Sequence, residues 1–162
     1  MSAQLVLIAA LMFPLPWVHG SAHQAPSPAG GWTVTAKTDP FTGGHVCHLG
    51  KRGVDYERQA LVFHLSDHVD TADAAYRIDG GSPNLVSADQ MELARLGFAL
   101  HNDDLSNPSG GLVRIPEGRL TTAGEVSVET AAFRRPVKFK ISGFAEALDT
   151  ARKAGCRPGD FR

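Results

Sequence analysis

Apolar and polar residues alternate along several short stretches of this chain, and that alternation sets most of its expected elements. Trp32-Thr33-Val34-Thr35-Ala36 switches character at every step, the period of a half-buried strand. Asp39-Pro40-Phe41-Thr42-Gly43-Gly44 interrupts it with turn chemistry, because proline presets φ and glycine accepts φ > 0. His45 to Leu49 resumes the pattern, so the two runs read as a hairpin with Cys47 and Leu49 on one face. Residues 50–59 are charged and read as a loop. Ala60–Leu65 is a third strand, with Leu61, Phe63 and Leu65 on one face, and Ala74–Asp79 is a fourth, ended by Gly80-Gly81. Asn107-Pro108-Ser109-Gly110-Gly111 is a strong turn, and Leu112–Ile115 a short extended piece. Glu125–Glu129 turns both valines inward. Pro136–Ile141 places Val137, Phe139 and Ile141 inward and Lys138 and Lys140 outward.

Two stretches carry helical spacing instead. Ser87 precedes Gln90 in S-x-x-Q order, a capping-box pattern for a short helix with Met91, Leu93 and Leu96 that stops near Gly97. Phe144, Ala147, Leu148 and Ala151 fall at i, i+3, i+4 and i+7, one apolar stripe. Ser142 or Gly143 caps that helix, Arg152 and Lys153 complement its dipole, and Gly155 suits its C′ position. The expected fold class is therefore α+β, mostly β. It is an antiparallel sheet or sandwich of about six to eight short strands, with a short middle helix and a C-terminal amphipathic helix.

The first charged side chain is Lys37, and before it lies the apolar run Leu5–Phe13. A transmembrane helix needs about 20 apolar residues, and Pro14 and Pro16 end this run early. Its length suits the apolar core of a secretory signal, with cleavage after Gly20 or Ala22. The segment before it has no Lys or Arg, so an uncleaved anchor is the competing reading. No cysteine lies near the cleavage site, which argues against a lipoprotein. The chain divides into a signal peptide (1–22), a Pro-, Gly- and Ser-rich flexible mature N-terminus (23–31) and one β-rich domain (32–162). Export, with the periplasm of a bacterium as the destination, follows from that division, and no stable membrane span remains after cleavage.

Composition adds a staple and a charge asymmetry. The only two cysteines are Cys47 and Cys156. In an exported chain they make one disulfide, closing most of the domain into a loop; two free thiols are the rival reading. The net charge of −1 gives no overall affinity for nucleic acid. Yet Lys37–Glu129 holds 8 basic against 14 acidic residues, and Arg134–Arg162 holds 8 against 3. The basic C-terminal part, with Lys138, Lys140 and Arg152, is either an ordinary solvated face or a docking face for an acidic partner or anionic lipid; the expected partner is a protein of the periplasm or envelope. Nothing in the sequence specifies an oligomeric state.

Candidate chemistry is sparse. His64, Asp67, His68 and Asp70 are the densest ligand-type cluster, but on a strand a four-residue separation spans about 13 Å, too far for one metal. His45, Cys47 and His48 alternate across a strand, and the thiol is claimed by Cys156. His101, Asp103 and Asp104 lie before a turn. No G-x-S-x-G, S-x-x-K, P-loop or G-x-G-x-x-G is present, so no catalytic residue, cofactor or metal is expected. In Tyr76-Arg77-Ile78-Asp79-Gly80-Gly81, strand alternation lets Arg77 pair with Asp79 at an edge; a ligand-binding arginine is the alternative.

Four segments occur in a recognisable order: Trp32-Thr33-Val34; Asp39-Pro40-Phe41-Thr42-Gly43 leading to Cys47; Tyr76-Arg77-Ile78-Asp79-Gly80; and Phe139-Lys140-Ile141-Ser142-Gly143-Phe144, with Ala147-Leu148 and a closing Cys156. That order resembles small bacterial periplasmic proteins of the VasI type, associated with type VI secretion, and more distantly the invasion-associated locus B proteins. The segment Leu85–Pro116 departs from the pattern. The resemblance implies a non-enzymatic accessory domain and assigns no catalytic residue. The alternative expectation is a small metal-dependent or acid–base hydrolase using His64, His68 and nearby aspartates.

Overall fold

A computed structural model describes residues 23–24, 29–66, 69–98 and 111–161. The segment 1–22, expected to be a signal peptide, Asp67, His68 and the stretch from 99 to 110, with His101, Asp103 and Asp104, lie outside the described residues.

The strands are β1 (His23–Gln24), β2 (Thr33–Thr38), β3 (His45–Lys51), β4 (Val54–Glu57), β5 (Ala60–His64), β6 (Ala75–Ile78), β7 (Asn84–Leu85), β8 (Leu112–Pro116), β9 (Glu125–Glu129) and β10 (Val137–Lys140). Among the described residues two α-helices, α1 (Gln90–Arg95) and α2 (Phe144–Lys153), accompany the strands with several short 3-10 turns. All strand pairs are antiparallel, in one sheet of order β1-β2-β3-β4-β5-β8 and a second of order β10-β9-β6-β7. The α+β, mostly β class expected from the alternation is the class observed. The strand number exceeds the expectation because β1 and β7 are two-residue pairings and because β4 falls inside the stretch read as a loop. There, Val54 and Tyr56 are buried while Asp55 and Glu57 are half-buried. The charges that suggested a loop are simply the outer face of a strand.

The alternating apolar residues meet between the sheets. Val34, Cys47, Leu49, Val54, Tyr56, Leu61, Phe63, Val113 and Ile115 come from the first sheet, and Tyr76, Val126, Val128 and Phe139 from the second. Phe63 and Phe139 stack edge-on across the gap, 5.1 Å between ring centres. Helix α2 packs over β2 and β3 with Phe144, Ala147, Leu148 and Ala151, the stripe expected from their spacing. Phe144 lies between Trp32 (5.4 Å) and Tyr56 (5.7 Å). Helix α1 departs from its expected start: no side-chain capping bond forms, a 3-10 turn over Val86–Asp89 precedes it, and Met91 is exposed. Its Leu93 joins Ala60, Leu96 and Phe98 in a small second cluster.

The end of α2 is closed by a Schellman turn. Cys156 N–H donates to Ala151 O (3.1 Å) and Gly155 N–H to Arg152 O (3.0 Å), with Gly155 at φ 93°. Only glycine takes that backbone conformation without a Cβ penalty. The reversal delivers Cys156 to Cys47, with which it forms a disulfide, Cα–Cα 6.1 Å. Beyond it Phe161 bridges to Cys47 in parallel and packs edge-on against Tyr56 at 4.7 Å. Strands β3 and β4 pair only at Gly50–Asp55 and Lys51–Val54, so Phe161 takes the place beside β3 that β4 leaves open.

Reducing this disulfide frees a loop whose ends are 109 residues apart. The chain-entropy model puts the loss at about 4–5 kcal/mol. Urea unfolding of the oxidised protein and of Cys47→Ser/Cys156→Ser should differ by that amount in the same direction. A midpoint unchanged by the double substitution would remove the staple from the account of stability.

Candidate functional site

The chemistry-bearing side chains fall into three groups. The first is a row on the outer face of the first sheet: His48 on β3, Asp55 on β4 and His64 on β5. His64 Nε2 lies 2.9 Å from Asp55 Oδ2, and His48 Nε2 3.9 Å from Asp55 Oδ1. The residue between them in the register is Gly50, paired with Asp55. A Cβ at position 50 would collide with Asp55 Oδ1 and crowd the His48 imidazole, so glycine is what lets the carboxylate approach. Only the His64–Asp55 contact is within hydrogen-bond reach, and nearly half of each side chain is open to solvent. Among the described residues no group of three His, Cys, Asp or Glu is arranged to hold a metal ion. His64 thus meets Asp55, a residue that sequence separation did not connect to it.

The second group is a pair of matching networks joined by one 3-10 turn, Glu117-Gly118-Arg119, which follows β8. Tyr56 donates its hydroxyl proton to Glu117 Oε2 (2.5 Å), whose Oε1 accepts from Arg152 Nη2 of α2 (2.8 Å). Tyr76 donates to Asp89 Oδ2 (2.7 Å), Arg119 Nη2 pairs with Asp89 Oδ1 (2.5 Å), and Arg119 Nη1 donates to the Tyr76 oxygen (3.2 Å). One turn therefore grips Tyr56 of the first sheet and α2 through Glu117. Through Arg119 it grips Tyr76 of the second sheet and the segment before α1. None of Tyr56, Asp89, Glu117 and Arg119 is marked by a local motif; only the meeting of five elements makes them a set.

The two networks differ in depth. The Asp89 side chain is 0% exposed, whereas Glu117 reaches solvent and Arg152 is 51% exposed. Removing one partner of a buried ion pair strands the other charge, at a cost of about 3–5 kcal/mol. Exposed pairs contribute up to about 1 kcal/mol. Arg119→Ala should therefore lower stability by about 3–5 kcal/mol and Arg152→Ala by at most about 1 kcal/mol, read from urea midpoints. Equal losses would contradict the assignment of Asp89 as the stranded charge.

Burial, and then the hydrogen bond to a carboxylate, push both tyrosine hydroxyls well above the usual phenol range. Tyr56 and Tyr76 are the only tyrosines in the chain. A folded-state pKa above the unfolded value of about 10 stabilises the fold below that pH, and the contribution is lost as pH rises from there through the folded pKa. Tyrosinate absorbance should thus be absent in the native protein at pH 10.5 and appear together with the loss of far-ultraviolet circular dichroism. Ionisation near pH 10 with the native spectrum intact would contradict the two buried networks.

The third group is the surface chemistry expected to bind a partner. Arg77 does not pair with Asp79. It pairs with Glu129 on the neighbouring β9 (3.2 Å) and donates to Gly81 O (3.4 Å). Asp79 has φ 49° and accepts from Gly124 N–H (3.0 Å) and Glu125 N–H (2.8 Å), fixing the entry to β9. The reason is the bend at Asp79, which ends the alternation that would have put the two side chains side by side. Lys138 pairs with Glu125 (2.9 Å) and Arg152 with Glu117 (2.8 Å), while Lys140 has no carboxylate partner among the described residues.

The turn joining β2 to β3 is locked from within. Asp39 Oδ1 accepts from Phe41 N–H (2.8 Å) and Thr42 N–H (3.2 Å), and Thr42 Oγ1 from Gly44 N–H (3.2 Å). Two backbone bonds, Asp39 N–H to Gly44 O (2.7 Å) and Gly43 N–H to Asp39 O (2.9 Å), close it. Its tip carries Phe41, 95% exposed. In comparisons with known proteins, no protein-family model, no curated protein and no solved structure matches this chain.

Proposed function

We propose that this chain is a non-enzymatic, exported accessory module that works by binding another protein of the periplasm or cell envelope. Its resemblance in motif order to VasI-type proteins points to a role beside a secretion system. The described part holds a disulfide and no helix long and apolar enough to cross a membrane, which is compatible with export. The observation that carries the reading is Phe41. A fully exposed phenylalanine contributes nothing to the core, yet its backbone is fixed by five hydrogen bonds of its own turn. An apolar side chain on a preorganised turn gives up little further entropy on docking, which is the condition for an anchor residue at an interface.

The test places a photo-crosslinking amino acid at position 41 in the cell that makes the protein, with exposed Ala145 on α2 as the control position. The expected result is a discrete adduct from position 41 that position 145 does not give, lost when untagged wild-type protein competes. Phe41→Ala should leave the unfolding midpoint unchanged within about 0.5 kcal/mol, because the ring buries nothing. No adduct, or the same adducts from both positions, would overturn the reading.

A further inference from the structure

Strand β10 is the terminal strand of the second sheet and pairs only with β9. Among the described residues, no backbone hydrogen bond reaches its outer edge. Its two outward residues, Lys138 and Lys140, are exposed, and the residues that lead into it, Arg134 and Arg135, are exposed as well. The first sheet adds to this charge. Gly53, in the β3–β4 turn, sits so close to β10 that a Cβ there would be 3.4 Å from the Phe139 ring, which brings the exposed Arg52 to the same seam. Lys51, next along, is held in place by Gly30 O (2.7 Å) and the Trp32 ring (5.3 Å). Its pKa is lowered by burial and then by the charge of Lys140. Of these six cations only Lys138 has a carboxylate partner among the described residues, Glu125 on the adjacent strand.

An open edge lined with lysine has two consequences. It resists a second copy of itself, because antiparallel pairing of two β10 strands sets like charges opposite one another. It favours an extended segment of opposite charge, for which the same lysines become cross-strand partners while the backbone supplies the hydrogen bonds. We infer that the outer edge of β10, with Lys51 and Arg52 beside it, is a docking edge for an acidic, extended segment of a partner protein, added as a fifth strand to the second sheet. The inference rests on the binding-module reading but not on Phe41.

A short fluorescein-labelled peptide alternating glutamate and valine is the probe, titrated into the full oxidised protein and followed by anisotropy and hydrogen exchange. Saturable binding is expected, weakened by salt, with exchange protection gained in Val137–Lys140. Lys138→Glu/Lys140→Glu should weaken binding at least tenfold. The same peptide N-methylated at consecutive residues, which blocks both of its edges, is equal in charge but unable to pair along a strand and should lose as much. Phe41→Ala should bind the peptide as the wild type does, so a failure here leaves the crosslinking test at position 41 standing, and the reverse. Equal binding of the N-methylated peptide would reduce the edge to a charge patch and overturn the inference. So would protection gained elsewhere, or binding only to phosphatidylglycerol vesicles. A stable dimer pairing through β10 would overturn it too.

Discussion

The place that β4 leaves open beside β3 is the constraint on which the rest of this structure depends. Two register pairs hold the strands together, and past them the inner face needs another cover. Phe161 supplies it, lying beside Cys47 and against Tyr56, with Phe144 filling in behind. A segment that short cannot hold itself there through its own apolar area. The Schellman turn aims it and the Cys47–Cys156 bond keeps it. The disulfide therefore does more than restrict the unfolded chain: it fixes the last side chain of the aromatic cluster around Phe144.

The same problem, joining layers that share few backbone bonds, is solved a second time by polar groups. The turn Glu117-Gly118-Arg119 sends one carboxylate and one guanidinium in different directions and thereby couples both sheets, α2 and the approach to α1. Buried tyrosine hydroxyls need partners, and each finds a carboxylate whose charge is in turn balanced by an arginine. Four ionisable groups and two hydroxyls are thereby tied into the joints between layers. On the outside stand an aromatic tip, a lysine-lined edge and the His48–Asp55–His64 row.

Local pattern reached a long way into this fold. Period-two alternation located the strands around Val34, Leu61, Tyr76, Val126 and Phe139, and period-3.6 spacing located α2 and its buried stripe, because burial of one face is a local demand on the sequence. It misplaced β4, whose outward Asp55 and Glu57 outweighed two inward residues, and it gave α1 a capping box that the 3-10 turn before it pre-empts. It also paired Arg77 with Asp79, when the bend at Asp79 turns one of them away.

By itself, then, the sequence determined which residues are inside, which segments are extended or helical, and that two cysteines were available to meet. Those are properties of neighbours along the chain. Only the tertiary structure decided that Tyr56 faces Glu117 and Arg152, that Tyr76 faces Asp89 and Arg119, and that His64 meets Asp55. Only the fold withdrew Lys138 and Arg152 into ion pairs. Charges act through space, over distances that sheet order and strand register create. No spacing along the chain encodes which strand will lie beside which.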